Sequence, residues 1–257
     1  MQTVTLLEKL YGKNEEHVLS YLVSLLKLGA SNLNLSLNVL GKNSRNWIKV
    51  GLSGEDSTVM INYLNKIFGL APTDLNKIHL FNVVRGKVID SGKVGYGVYV
   101  DIGIEFPKPI DALIPLYKLR QQLVKNNQLS CRTILDLYCL YDNFPLEVNI
   151  TRLDPNLQLI EAEFSDNQLS IFKDWVKLGL DRLIILGKTL EQVKQAIQKG
   201  RVQRDIAKVE QLGLLEHVIV CTLGTNARGL ITKLGPFLPH CPLYIFNPEK
   251  VRAFMLK

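Results

Sequence analysis

The segment that most constrains the fold of this chain is residues 95–103, with the sequence GYGVYVDIG. Its residues alternate between two faces, Tyr96, Val98 and Val100 on one and Gly97, Tyr99 and Asp101 on the other. A period of two is typical of a half-buried β-strand. The glycines permit the tight bends and the coiling of a small barrel. The segment therefore predicts one strand of a β-barrel.

Strand-like segments on both sides of it complete the outline of a barrel. They are residues 83–88 (VVRGKV), 111–115 (DALIP), 144–150 (FPLEVNI) and 159–162 (LIEA). In this order the segments resemble the S-one domain, the OB-fold unit repeated in the largest protein of the bacterial small ribosomal subunit. The resemblance is most specific at residues 95–103 and implies a central OB-fold RNA-binding domain over residues 76–164.

The resemblance also implies which residues of the barrel contact RNA. It places Tyr96 and Tyr99 at two aromatic positions, where an exposed ring can stack on an unpaired base and contribute about 1–3 kcal/mol. Beyond the resemblance, we favour Tyr96 for stacking and add Lys87, Lys93 and Arg152 as contacts with the phosphate backbone. For each of these residues an alternative stays open, in which the tyrosines complete the packing of the barrel and the cations are solvated.

Residues 1–75 are predicted to form a ferredoxin-like α+β domain. Apolar residues recur at helical spacing after Glu16 and again after Gly54, and they alternate as in a strand over residues 33–39. With residues 78–81 as a last strand, the order of elements is that of a split βαβ unit. Because paired aromatic residues for base stacking are missing, a packing or protein-contact module is favoured over an RNA-binding sheet.

Residues 165–257 are predicted to form a basic α/β domain with a small three-stranded sheet, from strands at residues 183–186, 217–223 and 243–246. This part carries 14 lysines and arginines against 8 carboxylates, a surplus of 6 in a total formal charge of +7. Such a region attracts polyanions because binding releases counterions, although it can also serve solubility alone.

The densest group of basic residues lies in this last domain. A capping box of Thr189 and Gln192 begins a helix whose apolar stripe extends to Val209. If the helix continues through Gly200, one of its faces collects Lys194, Lys199, Arg201, Arg204 and Lys208. We predict that this stripe contacts the RNA backbone, with an ordinary solvated face as the alternative.

Two glycine-containing segments of the last domain can be compared with known phosphate-binding motifs, and one of them is a candidate. Gly187-Lys188-Thr189 is not a P-loop, because a P-loop needs a glycine where Arg182 stands. A turn between a strand and a helix start is better suited to an anion, since its amides are free. The residues of that turn are Gly224, Thr225, Asn226 and Gly229. A simple helix cap at Thr225 is the alternative.

The sequence shows no nucleophile beside a base and no acidic cluster suited to a metal, so we predict no catalytic residue, no metal and no cofactor. The four cysteines form no C-x-x-C pair and are expected to be buried free thiols. No apolar segment is long enough to span a membrane, and the pattern of a signal peptide is missing. We therefore expect a cytoplasmic protein without membrane contact.

These features predict a non-catalytic RNA-binding protein of the α+β, multidomain class, associated with the ribosome, translation or RNA processing. The whole chain is also similar to an archaeal family of unknown function, which supplies an architecture and no activity. The expected partners are RNA, with ribosomal RNA as a candidate, and ribosomal or RNA-processing proteins. Two alternatives stay open: a nucleotide- or RNA-processing enzyme that uses the turn at residues 224–229, and a protein-interaction scaffold within a ribonucleoprotein.

Overall fold

A three-stranded sheet and two helices form the N-terminal unit of the computed structural model, which describes residues 1–154 and 158–255. Its elements are β1 (Gln2–Lys9), α1 (Glu15–Gly29), β2 (Leu35–Lys42), β3 (Trp47–Gly54) and α2 (Ser57–Ile67). The strands lie in the order β1-β3-β2 and all pairs are antiparallel. Apolar residues of both helices pack on the apolar face of this sheet. The order and direction are those of a split βαβ unit.

The prediction of a last strand at residues 78–81 is wrong. The chain turns back at Gly69, which has a φ of 75°, and runs beside β1 at once. The amide of Leu7 donates to the carbonyl of Gly69 at 3.0 Å, and the amide of Ala71 donates to Thr5 at 2.9 Å. These bonds use the free edge of β1 before residue 78 is reached. Phe81 has a φ of 64°, which an extended strand does not allow.

A closed five-stranded barrel follows, as the sequence predicts. Its strands are β5 (Val83–Ile89), β6 (Gly97–Phe106), β7 (Ile110–Pro115), β8 (Pro145–Asp154) and β9 (Leu159–Phe164). A short strand before the barrel, β4 (Thr73–Asp74), pairs in parallel with β6. Around the barrel the order is β5-β6-β7-β9-β8, and the pair of β7 and β9 is parallel while the others are antiparallel. This circular order is that of an OB-fold.

Two helices, α3 (Leu116–Leu123) and α4 (Cys131–Tyr138), occupy the long connection between β7 and β8. The interior of the barrel is filled by inward-facing aliphatic side chains, Val88, Val98, Val100, Ile114 and Val148 among them. The valines of residues 95–103 therefore lie in the core, as their alternation predicts.

The C-terminal unit is built around a four-stranded antiparallel sheet. Its elements are α5 (Asp166–Leu178), β10 (Arg182–Leu186), α6 (Leu190–Lys199), β11 (Ile206–Gln211), β12 (Glu216–Cys221), α7 (Ala227–Leu234), β13 (Leu243–Phe246) and α8 (Pro248–Met255). The strand order is β11-β12-β10-β13. The α+β class is confirmed, whereas the prediction of three strands missed β11.

The missing strand lies where the sequence predicts a continued helix. Helix α6 begins with the predicted capping box of Thr189 and Gln192 and ends at Lys199. Arg201 follows with a φ of 52°, a left-handed conformation that stops the helix. Residues 206–211 then pair with β12 as a hairpin. The apolar residues Ile206 and Val209 therefore pack on the sheet instead of extending the helical stripe.

The barrel and the C-terminal sheet share one apolar core. Helix α5 lies between them, and its Phe172 packs edge-on against Tyr138 and Phe164 of the barrel unit. Its Trp175 packs against Phe246 of β13, with the ring centroids 5.2 Å apart. The core is continuous from the barrel interior to one face of the sheet. Within the described ranges, no helix is long and apolar enough to cross a membrane.

A buried ionic cluster joins all three units. Lys87 of β5 donates to Glu8 of β1 at 2.8 Å and to Glu216 of β12 at 2.7 Å. Tyr11 of the N-terminal unit donates to Glu216 at 2.6 Å. Lys87 is 1% exposed, and both carboxylates are buried. The prediction that Lys87 contacts an RNA backbone is therefore wrong, because the neighbouring units enclose its ammonium group.

The burial of this cluster shifts the pKa values of its members. Burial raises the pKa of Glu8 to about 7, since Lys87 only partly offsets the loss of hydration. Burial alone would lower the pKa of Lys87, but the two carboxylates outweigh it and the pKa is raised. At neutral pH the lysine is charged, and Glu8 is divided between its two protonation states.

Replacing the cation tests the cluster. The substitution Lys87→Met leaves two buried carboxylates without their partner, so we expect the free energy of unfolding to fall by about 3–5 kcal/mol. Urea denaturation followed by circular dichroism measures this loss. Lys93→Met, the same change at an exposed site of the barrel, is expected to leave the midpoint unchanged. Equal midpoints for both variants would contradict the role of Lys87.

The raised pKa of Glu8 predicts a pH dependence of stability. Because its pKa rises from 4.5 to about 7 in the fold, the folded protein holds the Glu8 proton more tightly than the unfolded chain. This contribution to stability is complete below pH 4.5 and is lost as the pH rises towards 7, by at most about 3 kcal/mol. We expect Glu8→Gln to match the native protein near pH 5 and to be more stable at pH 8. Urea midpoints across this range provide the test, and parallel pH profiles would refute it.

Candidate nucleic-acid interface

Two tyrosines lie together on the outside of the barrel. Strand β6 begins at Gly97, so Tyr96 precedes the strand, and its side chain does not follow the alternation of the strand between the two faces. Its hydroxyl lies 2.8 Å from that of Tyr99, and the two rings meet edge to face with centroids 6.3 Å apart. Tyr96 is 55% exposed. The alternation predicts the two rings on opposite faces, and the structure instead makes them one pair.

The backbone around Gly97 explains this position. A side chain at Gly97 would collide with the carbonyl oxygen of Ile114 on β7. The close approach of the two strands therefore requires glycine at residue 97. The amide of Leu116 also donates to the carbonyl of Tyr96 at 2.7 Å, which fixes the residue beside the end of β7.

A row of outward-facing side chains continues from Tyr99 across the barrel. Tyr99 is paired with Leu113 of β7, which is paired with Glu161 of β9, which is paired with Arg152 of β8. Three strand spacings separate the ends of the row by roughly 14 Å. Arg152 is exposed and lies 3.5 Å from the Glu161 carboxylate. The row thus carries an aromatic ring at one end and a guanidinium at the other.

The N-terminal unit covers the neighbouring part of the same face. The buried carboxylate of Asp101, two residues after Tyr99, contacts Lys9 at 2.6 Å, and Arg45 and Trp47 each at 3.1 Å. Arg45 also contacts Asp111 of β7 at 2.5 Å. These contacts cover the face around Asp101, while the part that carries the tyrosine pair and Arg152 remains open.

The loop between β5 and β6 brings a further cation to this open part. Lys93 is exposed and pairs with Asp90 at 2.5 Å. It lies three residues before Tyr96, at the same rim of the barrel. In OB-folds the second and third strands and the loops at their rim contact the ligand. Residues 155–157, in the loop between β8 and β9, lie outside the described residues.

The basic residues of the C-terminal unit do not form one helical stripe, contrary to the prediction. Their members are distributed over helix α6, the turn after it and strand β11, and all are exposed: Lys194, Lys199, Arg201, Arg204 and Lys208. They do not share one helical face because α6 ends at Lys199. Three of them, Lys199, Arg201 and Arg204, lie within six residues from the end of α6 onwards, and we call this segment the basic turn.

The other two basic residues face different surroundings. Lys208 pairs with Glu210 at 2.6 Å on β11, and Lys194 lies within α6. The basic turn rests against the end of β12, where Thr222 donates to the carbonyl of Asp205 at 3.0 Å. The candidate surface for a polyanion is thus the basic turn alone, and not a stripe of five residues.

The turn at residues 224–229 is a helix cap in the structure. Asn226 accepts from the amide of Gly229 at 2.8 Å, and Asp181 accepts from the amide of Ala227 at 3.1 Å. Thr225 donates its amide to the carbonyl of Thr222, and Gly224 has a φ of 83°. The amides of Thr225, Ala227 and Gly229 are therefore occupied, and the carboxylate of Asp181 would repel a phosphate.

The sequence analysis did not predict that Leu113 lies in the outward-facing row of the barrel, nor that the N-terminal unit covers Asp101. The inward-facing residues of β7 alternate as Ile110, Ala112 and Ile114, so the same period of two could have placed Leu113 outside. No local signal marks the cover over Asp101, because Lys9 and Arg45 come from a distant part of the chain.

Family models match nearly the whole chain. Models described as the DUF2110 N-terminal, central and C-terminal domains match residues 3–74, 81–176 and 180–244. No protein with a curated description matches the sequence.

Several solved structures are similar to parts of the chain. GSP13 from Bacillus subtilis is 18% identical with a TM-score of 0.25, over 35% of this chain and 58% of that one. The a/eIF2alpha-aDim2p-rRNA complex from Pyrococcus horikoshii OT3 matches at 14% identity and a TM-score of 0.27, over 49% and 60%. The intact alpha subunit of aIF2 from Pyrococcus abyssi matches at 10% and 0.25, over 65% and 97%. Likenesses at this level identify no function.

The tyrosine pair can be tested without any ligand. The hydrogen bond with Tyr96, assisted by partial burial, raises the pKa of Tyr99 to about 12. We expect Tyr96→Phe to remove this bond and to lower the pKa of Tyr99 towards its ordinary value of 10. The chemical shift of the Tyr99 ring carbon that bears the hydroxyl reports the titration by NMR. An unchanged pKa would show that the hydroxyls do not meet in solution.

Proposed function

This chain belongs to the DUF2110 family, and we propose that it is a non-catalytic protein that binds single-stranded RNA on its OB-fold barrel. The observation that carries the proposal is the pair of an exposed Tyr96 and a half-buried Tyr99 beside the ligand-binding strands of that fold. The exposed part of Tyr96, 55% of the residue, adds no apolar burial to the barrel.

The pair is suited to an unpaired base. Each ring offers a π-face to any base, and stacking of this kind tolerates many sequences. The hydroxyl contact at 2.8 Å holds the rings in a fixed edge-to-face arrangement before RNA arrives. Little side-chain freedom is then lost on binding, which favours affinity.

Cations at both ends of the open face supply the contact with the RNA backbone. Lys93 lies at the rim beside Tyr96, and Arg152 ends the row that begins at Tyr99. Each of them has a carboxylate nearby, Asp90 or Glu161, but both side chains are exposed and can turn towards a phosphate. Such exposed ion pairs contribute little to stability and are easily exchanged.

Single strands suit this surface better than a duplex. The N-terminal unit occupies the neighbouring part of the face through Lys9, Arg45 and Trp47, so the open part is narrow. A duplex also hides the flat faces of its bases, whereas an unpaired strand can turn them out to the tyrosines. The basic turn of the C-terminal unit is a second, sequence-independent contact. An association with ribosomal RNA, translation or RNA processing stays a prediction.

Aromatic replacement provides the direct test. We expect Tyr96→Ala to weaken binding of an unstructured oligouridine by about 5- to 150-fold, the equivalent of one lost stacking contact. Fluorescence anisotropy of a labelled oligonucleotide measures the affinity. Tyr63→Ala, at another exposed tyrosine on α2, is the matched control and is expected to bind as the native protein does.

The basic turn gives an independent measurement. Neutralising Lys199, Arg201 and Arg204 together should lower the salt dependence of binding while the preference for unpaired RNA remains. If native protein shows no affinity for oligouridine at low salt, the proposal fails, and a protein-interaction scaffold becomes the better account of the barrel.

A further inference from the structure

A second candidate site lies away from the tyrosine pair, where all three units meet around a cleft of about 320 Å³. The N-terminal unit contributes the residues just before α1, the barrel unit contributes residues 142–143, and the C-terminal unit contributes the loop before α6 and the segment before β13. The volume suits a ligand of about the size of a mononucleotide or smaller.

Positive charge dominates the wall of this cleft. Lys13 and Lys188 line it from two of the units. Neither lysine forms an ion pair with a carboxylate in the part of the chain that the structure describes. Among the described lining residues Asp142 carries the only carboxylate, and it accepts from the amide of Ser91 at 2.7 Å.

The two lysines come from matching local structures. Each follows a glycine and precedes the first turn of a helix, as Gly12-Lys13 before α1 and Gly187-Lys188 before α6. The two loops meet, since the carbonyl oxygen of Gly187 lies 4.0 Å from the position of a Cβ on Gly12. Gly187-Lys188 lacks the remaining glycine of a P-loop, but the fold places a second lysine, Lys13 of the N-terminal unit, beside it in the same cleft.

The helix ends add to the charge of the side chains. Asn14 at the start of α1 makes no side-chain capping bond, so amides of the first turn keep free hydrogens. The positive ends of the α1 and α6 dipoles both lie at the cleft. A dianion placed between the lysines would be favoured by both lysines and by both helix dipoles, and it would be opposed by the first-turn carboxylates Glu15, Glu16 and Glu191.

We propose that this cleft binds a phosphomonoester, held between Lys13 and Lys188. Asn143, Gln192 and Tyr244 on the wall offer hydrogen bonds and an apolar surface to the group that carries the phosphate. A free 5′-nucleotide and the 5′-phosphate end of an RNA present the same chemistry. The inference does not depend on the proposed function, because the tyrosine pair is not part of the cleft.

The experiment measures binding of phosphate probes to the full-length chain by calorimetry. The probes are 5′-AMP, inorganic phosphate, and oligouridine with either a 5′-phosphate or a 5′-hydroxyl, all at one ionic strength set with KCl. We expect 5′-AMP or the 5′-phosphorylated oligonucleotide to bind, and Lys13→Ala and Lys188→Ala each to weaken this binding by about 10- to 100-fold. Lys27→Ala, at the other end of α1 and roughly 20 Å away, is the control of equal charge and should change nothing.

The arms also identify the source of the phosphate. Lysine-dependent preference for the 5′-phosphorylated over the 5′-hydroxyl oligonucleotide assigns the cleft to RNA ends, and lysine-dependent binding of 5′-AMP without that preference assigns it to free nucleotides. No binding of any phosphate probe to native protein, or equal binding by Lys13→Ala and Lys27→Ala, overturns the proposal. Lys188→Arg keeps the charge and serves as a second variant if an alanine substitution lowers the melting temperature. Tyr96→Ala should leave phosphate binding intact, so a failure here is separable from a failure of RNA binding at the barrel.

Discussion

The burial of Lys87 between Glu8 and Glu216 is the interaction on which the arrangement of the three units depends. One cation of the barrel meets one carboxylate from each neighbouring unit, and each of the three side chains is at most 6% exposed. Removing charged groups from water is costly, so the cluster contributes more to the specificity of the arrangement than to net stability. Any shift of a neighbouring unit would leave a buried charge unpaired. The same fixed placement keeps Asp101 covered and Tyr96 open to solvent.

The local sequence was sufficient to predict the strands of the barrel. It was insufficient to predict the contacts between the barrel and the two neighbouring units. The alternation in residues 95–103 acts between neighbours in the chain, and it correctly placed Val98 and Val100 in the core. Lys87 lies on a strand in the same way, and nothing near it in sequence distinguishes it from a solvated lysine. Its carboxylate partners are 79 and 129 residues away. Residues 206–211 fit a helical spacing, but pairing with β12 outweighed that weak preference.

The candidate sites show the same division between local and distant effects. The outward position of Tyr99 follows from alternation, whereas its contact with Tyr96 depends on where β6 begins, which the approach of β7 at Gly97 decides. The surplus of positive charge in the last third was visible in composition, but its distribution followed the end of α6. Gly187-Lys188 lacked a phosphate-binding motif of its own, and the fold supplied its counterpart from the N-terminal unit.

Leu214 and Leu215 complete the apolar core of the N-terminal unit, although they belong to the hairpin between β11 and β12. Leading domains commonly fold during synthesis before the rest of a chain is made. In this chain the N-terminal sheet lacks part of its apolar core until the hairpin between β11 and β12 has been synthesised. Tyr11 likewise can form its hydrogen bond only after Glu216, 205 residues further on, has been added. Contacts that close such long loops form slowly. Of the three units that the structure describes, the N-terminal one is synthesised before the other two, yet its core is complete only after the hairpin of the third has been made.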